Sequence, residues 1–225
     1  MQAIVLAAGE GSRMRPLTAN RPKVMLPVAG KPLLEHIIIR ARSAGVTSFV
    51  LVVGYGQNSI RSYFDDGQRM GVEIDYAIQD KQLGTGHALM AARHKAADRF
   101  MVLNGDVLPD TGSLRDMVAQ EAAVSAIRVD DPSRYGVFLE RDGYFESVLE
   151  KSANPPSNLA NAGIYVFTSK VFDYIPDKVF SMIETEVFPK LIKDEQFYGY
   201  IMEGQWLPAG TLEEYEQAIK EWKDI

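Results

Sequence analysis

Short apolar runs alternate with helical patterns through the first half of the chain, and this alternation constrains the fold most. Ala3–Leu6, Ser48–Val53, Val72–Ile78 and Phe100–Leu103 read as strands. Between them, Pro32–Ala44 carries Leu33, Leu34, Ile37 and Ile38 on one side and meets a stop at Gly45. Gln57–Asp65 and Ala88–Lys95 continue the helical pattern, the former ahead of Gly67. Strands alternating with helices build βαβ units, which require a mostly parallel sheet with helices on both faces.

The second half changes texture. Ser125–Val129, Tyr135–Glu140, Phe145–Glu150 and Asn161–Phe167 predict short strands divided by polar turns. Arg141-Asp142-Gly143 predicts a hairpin between the second and third of these. Glu184–Lys193 predicts a helix, Phe197–Met202 a strand and Leu212–Trp222 a closing helix. No repeat, low-complexity tract or linker separates the halves, so one α/β domain over residues 1–225 is expected, built on an open mixed sheet.

Composition removes several kinds of chemistry. With 30 acidic and 24 basic residues, the net charge of −6 argues against a general nucleic-acid binder. The absence of cysteine excludes disulfides, iron–sulfur clusters, thiolate zinc sites and cysteine nucleophiles, and fits a reducing cytosol. The start, MQAIVLAAG, lacks a basic segment and a full apolar signal core, and no apolar run approaches the roughly 18 residues of a membrane span. A cytoplasmic chain with no membrane partner is the expectation. His36, His87 and His94 read as packing or surface residues without a metal partner.

The densest chemistry follows the first strand. Leu6-Ala7-Ala8-Gly9-Glu10-Gly11-Ser12-Arg13-Met14-Arg15-Pro16-Leu17-Thr18 leads into Arg21-Pro22-Lys23. Small residues let backbone amides approach a phosphate or a base. Arg13, Arg15, Arg21 and Lys23 place four cations within eleven residues of an acidic chain, which suits a polyanionic ligand. The common phosphate loops do not match. A dinucleotide fingerprint needs glycine where Met14 stands, and a P-loop needs Gly-Lys-Ser/Thr.

The full string closely resembles the signature of sugar-1-phosphate nucleotidyltransferases, and further landmarks follow in order along nearly the whole chain. Gln79–Ala88 resembles the base-reading segment of the uridylyltransferases that make UDP-N-acetylglucosamine. Asn104-Gly105-Asp106 resembles a metal-binding strand end. Tyr135-Gly136, Glu150-Lys151 and Asn161–Tyr165 resemble sugar-site motifs, and Trp206–Thr211 the final site motif. The resemblance implies a Rossmann-like fold, with residues 1–122 mainly a nucleotide-binding half and residues 123–225 mainly a sugar-binding half. It implies transfer of a nucleotidyl group from a nucleoside triphosphate to a sugar 1-phosphate, with Mg²⁺ as cofactor and pyrophosphate released. Self-association is left open.

The residues make chemical sense of these roles. Two anions must be aligned and their repulsion suppressed. The resemblance puts Arg13 on the β- and γ-phosphates, Lys23 on the α-phosphate and Asp106 on the metal. Leu6, Ala7, Ala8, Gly9, Gly11 and Ser12 would form the phosphate and base cradle with Arg13. Gln79, an amide that both donates and accepts, can pair with the imide edge of uracil or thymine, assisted by Gly84 and Thr85. UTP or dTTP is therefore favoured, and one methyl separates them weakly. Gly136, Glu150, Lys151 and Asn161 are the sugar candidates. Adjacent positions on a strand would send Glu150 and Lys151 to opposite faces. Asp110 reads as part of the turn after Asp106.

One position departs from the pattern. Where related enzymes carry aspartate or asparagine as a second metal ligand, this chain has Pro208, which offers no side-chain donor. A binding or regulatory protein with impaired turnover is therefore the alternative. The expected chain also ends without the hexapeptide-repeat acyltransferase that some relatives carry.

Overall fold

The computed structural model describes residues 1–176, 180–194 and 198–223. Its elements run β1 (Gln2–Leu6), a small ribbon of β2 (Pro27–Val28) and β3 (Lys31–Pro32), α1 (Leu33–Ser43), β4 (Ser48–Val53), α2 (Gln57–Phe64), β5 (Glu73–Ile78) and α3 (Thr85–Ala91). There follow β6 (Arg99–Asn104), β7 (Val107–Pro109), α4 (Thr111–Val118), β8 (Ala123–Arg128), β9 (Val137–Arg141), β10 (Tyr144–Leu149) and β11 (Leu159–Thr168). The chain continues through α5 (Val171–Tyr174), a π turn (Ile183–Val187), α6 (Phe188–Asp194), β12 (Gly199–Met202), β13 (Trp206–Pro208) and α7 (Leu212–Glu221).

Strands β5, β4, β1 and β6 lie side by side in that order and all parallel. Strand β1 therefore has β4 on one side and β6 on the other. The order in which strands are added reverses between β1 and β6, and open α/β sheets hold ligands at such a switch point. Strand β11 joins β6 antiparallel and carries β8, then β12, along its other edge. The β9–β10 hairpin attaches to β11 at Ala160↔Val137. The result is a mixed Rossmann-like sheet, parallel at its centre.

Alternation along β1 sends Ala3 and Val5 to one face and Ile4 to the other. The first face is covered by α1, α2, α4 and α7 through Ile37, Phe64, Leu114 and Tyr215. The second is covered by α3, α5 and α6 through Leu89, Phe172 and Leu191. The hairpin turns on Asp142 and Gly143, both with positive φ, as a two-residue primed turn requires.

Differences from the sequence expectations have local causes. Helix α3 starts at Thr85 and stops at Ala91, with a separate 3-10 turn over Arg93–Lys95. The expected helix over Glu184–Lys193 opens as a π turn before becoming α6. Helix α4 was not anticipated, although Asp110 caps it by accepting from Ser113 N–H at 3.0 Å. Phe197, the expected first residue of the strand ending at Met202, lies outside the described residues.

Candidate active site

Two adjoining cavities open at the C-terminal ends of β1 and β6. The first, about 260 Å³, is lined by Leu6, Ala8, Gly9, Lys23, Gln79, Gln82, Gly84, Thr85 and Asp106 among others. The second, about 320 Å³, is lined by Arg13, Asp106, Arg134, Tyr135, Gly136, Glu150, Lys151, Asn161, Glu184 and Pro208 among others. Asn104 and Asp106 belong to both walls, so the end of β6 forms the seam between them. Gly105 makes this seam possible. A Cβ there would come within 2.7 Å of the Leu6 carbonyl oxygen, so only glycine lets β6 turn away so close to β1.

At the seam, Lys23 forms an ion pair with Asp106. Burial pushes the Asp106 carboxyl up, but the charge and hydrogen bond of Lys23, with Arg13 behind them, hold it below the usual carboxylate range. The group is ionised at neutral pH. Lys23 reaches the pair from a 3-10 turn, Lys23–Met25, that follows Pro22.

The remaining signature residues divide. Leu6, Ala8 and Gly9 line the first cavity. Ala7 does not; it is buried, and its N–H donates to Val52 at 2.9 Å, which extends the β1–β4 pairing. Gly11 and Ser12 also lie outside both linings. Gly11, at φ 69°, offers its carbonyl to the Thr18 hydroxyl at 2.8 Å, and the turn Ser12–Met14 that follows delivers Arg13 to the second cavity. Arg13 therefore stands on the opposite side of the seam from Lys23, not within the first cavity. Arg15 pairs with Glu10 at the surface.

Gln79 lies in the wall of the first cavity, 4% exposed. Its Nε2 donates to the Gly84 carbonyl at 3.1 Å and stands 3.0 Å from His87 Nδ1. Its amide nitrogen therefore faces protein atoms, and Oε1 is left without a hydrogen bond to a described residue. Thr85 is engaged too. Its hydroxyl donates to Glu184 at 2.7 Å and accepts from Ile183 N–H at 2.9 Å.

All four sugar candidates line the second cavity. Glu150 and Lys151 do not point to opposite faces of a strand, because β10 ends at Leu149 and both reach the same cavity. Asn161 donates to the Tyr165 hydroxyl at 2.9 Å and accepts from Gly163 N–H at 3.0 Å, so its amide is oriented from behind. Trp206 builds the wall, donating to the Ala162 carbonyl at 2.9 Å with Tyr135 edge-on at 5.3 Å.

Glu184 is the residue that sequence reasoning missed. It enters the second cavity from the π turn, and burial is the main cause that raises its carboxyl above the usual range, with Glu150 and Asp106 adding repulsion. No motif flagged it, since Ile183–Val187 reads only as helix.

Pro208 lies where the motif placed it. Strand β13 pairs with β7 at Pro208↔Val107, and Ala209 N–H donates to the Asp106 carbonyl at 2.8 Å. Position 208 lines the second cavity but contributes no side-chain oxygen. The nearby Glu214 is already used: it accepts from Gly210 and Thr211 N–H at 2.8 and 3.0 Å and from the Tyr135 hydroxyl at 3.1 Å. No group of three His, Asp or Glu side chains suited to a metal ion occurs among the described residues. No described helix is long and apolar enough to cross a membrane.

Comparison with known proteins follows this geometry. A family profile described as nucleotidyl transferase matches residues 2–224. The chain is 41% identical over 217 residues to the bifunctional protein GlmU of Methanococcus maripaludis strain C7, covering 93% of this chain and 51% of that one. It is 37% identical over 224 residues to a mannose-1-phosphate guanylyltransferase of Mycobacterium tuberculosis, covering 96% and 62%. A solved Bacillus anthracis structure assigned as a glucose-1-phosphate thymidylyltransferase, crystallised with sucrose, superposes with a TM-score of 0.92 at 30% identity, covering 100% and 96%. The chain spans about half the length of the first of these curated relatives.

Proposed function

Because the chain belongs to the nucleotidyl transferase family, we propose that it joins a nucleoside triphosphate to a sugar 1-phosphate, giving an NDP-sugar and pyrophosphate. The observation that carries this reading is the seam. An ionised carboxylate and a lysine stand where a base-sized cavity meets a cavity walled by polar residues. A triphosphate held in the first and a sugar phosphate held in the second would meet there.

The chemistry is a direct displacement. An oxygen of the sugar phosphate forms a bond to the α-phosphorus as the bond to the bridging oxygen of pyrophosphate breaks. Both electron pairs move between phosphates, so no side chain needs to become covalently attached. Lys23 neutralises the α-phosphate from one side of the seam, and Arg13 neutralises the converging phosphates from the other. Such fixed cations lower the barrier because they need no reorganisation as charge develops. Glu150 and Asn161 accept and donate to sugar hydroxyls or an N-acetyl group, with Gly136 offering close backbone approach.

Asp106 fits magnesium: it is a hard oxygen ligand, ionised and open to both cavities. Bound there, the ion would supply charge neutralisation shared between the two phosphates. A single protein carboxylate is enough for an ion that keeps water and phosphate oxygens as its other ligands. Pro208 is therefore compatible with turnover.

With its amide nitrogen turned toward Gly84 and His87, Gln79 keeps an acceptor oxygen that suits the N3–H of UTP or dTTP. The relatives named above include a guanylyl and a thymidylyl enzyme, so the base is read from this chain's own residues. The test is pyrophosphate release across the four nucleoside triphosphates and dTTP, each with N-acetylglucosamine, glucose and mannose 1-phosphates. Turnover with UTP or dTTP and one of these sugars supports the reading. No release in any pairing refutes it.

A further inference from the structure

The loop that walls the first cavity and the segment that walls the second form one hydrogen-bonded unit. Gly84 and Thr85 line the first cavity, Glu184 lines the second, and Met182 lines both. Ser181 N–H donates to the Leu83 carbonyl at 2.9 Å, and Gly86 N–H returns a bond to the Ser181 carbonyl at 2.9 Å. Glycine makes this approach possible, since a Cβ on Gly86 would come within 2.8 Å of Ser181 Oγ. Side chains enter the unit at Thr85. Ile183 N–H can only donate, so the Thr85 oxygen accepts from it at 2.9 Å. The hydroxyl hydrogen is left for Glu184, whose Oε2 lies 2.7 Å away.

This contact holds in either charge state. An ionised Glu184 accepts from Thr85, and a protonated one accepts or donates its own hydrogen, so the carboxyl stays bonded to Thr85 throughout. What opposes it there is electrostatic. Glu150 and Asp106 share the cavity wall and repel an ionised Glu184. The Thr85 hydroxyl supplies a side-chain hydrogen bond that offsets this repulsion. With its hydrogen spent on Glu184, Thr85 has none to give a base.

We propose that Thr85 is a positioning residue for the sugar subsite and not a base contact: standing in the nucleotide wall, it holds the Glu184 carboxyl in the second cavity as an acceptor for a sugar hydroxyl. This rests on the nucleotidyl-transfer reading above and assigns one of the sugar contacts that reading requires. A loose glutamate chain must give up rotamer freedom to take a hydroxyl, and one already tied by Thr85 has given it up on folding. Removing the Thr85 hydroxyl therefore weakens sugar binding and leaves nucleotide binding alone.

The experiment compares wild type, Thr85→Val, Thr85→Ser, Glu184→Ala and the Thr85→Val, Glu184→Ala double variant. Equilibrium titration and turnover give Kd and KM for both substrates of the most active pairing in the screen above, with UTP and glucose 1-phosphate titrated if none turns over. Thr85→Val keeps the branched shape without the hydroxyl. It should raise Kd and KM for the sugar 1-phosphate about tenfold, the order of one hydrogen bond to a charged group, with nucleotide Kd and kcat nearly unchanged. Thr85→Ser should restore sugar affinity, because its hydroxyl stands in the same place. In the Glu184→Ala background Thr85→Val should cost little more, since the residue it acts through is gone. A folded Thr85→Val protein with unchanged sugar affinity, or with nucleotide affinity lost to the same extent, would overturn the proposal, as would additive losses in the double variant. If Thr85→Val does not fold, Glu184→Ala carries the test, and unchanged sugar affinity there overturns the proposal too. A wild type that binds both ligands but turns over no pairing would instead sink the transfer reading, while the titrations still decide the role of Thr85.

Discussion

Replacing Lys23 with methionine removes one charge at the seam and keeps most of the stem. The stem matters, because a Cβ on Gly11 would come within 2.8 Å of Lys23 Cβ, so the two segments are in close contact. The side chains of Lys23 and Asp106 are 11% and 30% exposed. Exposed pairs contribute about 0–1 kcal/mol, and breaking a fully buried pair costs about 3–5 kcal/mol. This pair lies between them, so the stability loss should be about 1–2 kcal/mol. At roughly 2–4 °C per kcal/mol for a chain of this size, Tm should fall by about 2–8 °C. Catalysis should suffer more. Loss of one preorganised electrostatic donor costs about 10²–10³ in kcat. The assay is pyrophosphate release at saturating substrates, with Tm read on the same preparation. Lys23→Met with turnover within threefold of wild type would refute the placement of the α-phosphate at Lys23.

Three further outcomes follow from the site. Pro208→Asp should lower the Mg²⁺ concentration for half-maximal activity and raise turnover, since position 208 lines the same cavity as Asp106; an unchanged Mg²⁺ titration would show that a side chain there does not reach the ion. Glu184→Gln should stabilise the metal-free protein at pH 7–8. The raised Glu184 carboxyl favours folding most below its unfolded pKa and loses that contribution as pH rises through the folded pKa, so the advantage of glutamine should vanish as pH drops toward 4; a pH-independent Tm difference would contradict this. Gly84→Ala should cost about 1–3 kcal/mol or more from backbone strain alone, because Gly84 sits at φ 96° and a Cβ there would come 2.1 Å from the Ser181 carbonyl oxygen. A Tm within 1–2 °C of wild type, by the roughly 2–4 °C per kcal/mol that applies here, would count against it.

Much of the nucleotide side was legible because its signals are local. Apolar runs marked β1, β4 and β6, and the ends of those strands necessarily share one edge of a parallel sheet. Arg13, Lys23 and Asp106 follow two of these strands, so their convergence was predictable in outline. What each atom does there was not. The spent donors of Gln79 depend on Gly84 and His87 folding back within one loop and helix, which composition does not reveal. Glu150 and Lys151 were misread because strand alternation was applied past the strand's end at Leu149. Glu184 was invisible because its position depends on a π turn packed against α3, through Thr85, from nearly 100 residues away in sequence. Helix α4 left a fair signal, a capping Asp110 followed by Leu114 and Met117 at helical spacing, that its short length obscured.

The central claim is direct transfer between two phosphates brought to the Lys23–Asp106 seam. The measurement that bears on it most directly is exchange of labelled pyrophosphate into the nucleoside triphosphate, with and without sugar 1-phosphate. Direct displacement predicts no exchange when the sugar phosphate is absent, and exchange by reversal of the transfer when it is present. Exchange in the absence of sugar phosphate would require a nucleotidyl group held covalently on the protein and would contradict the account.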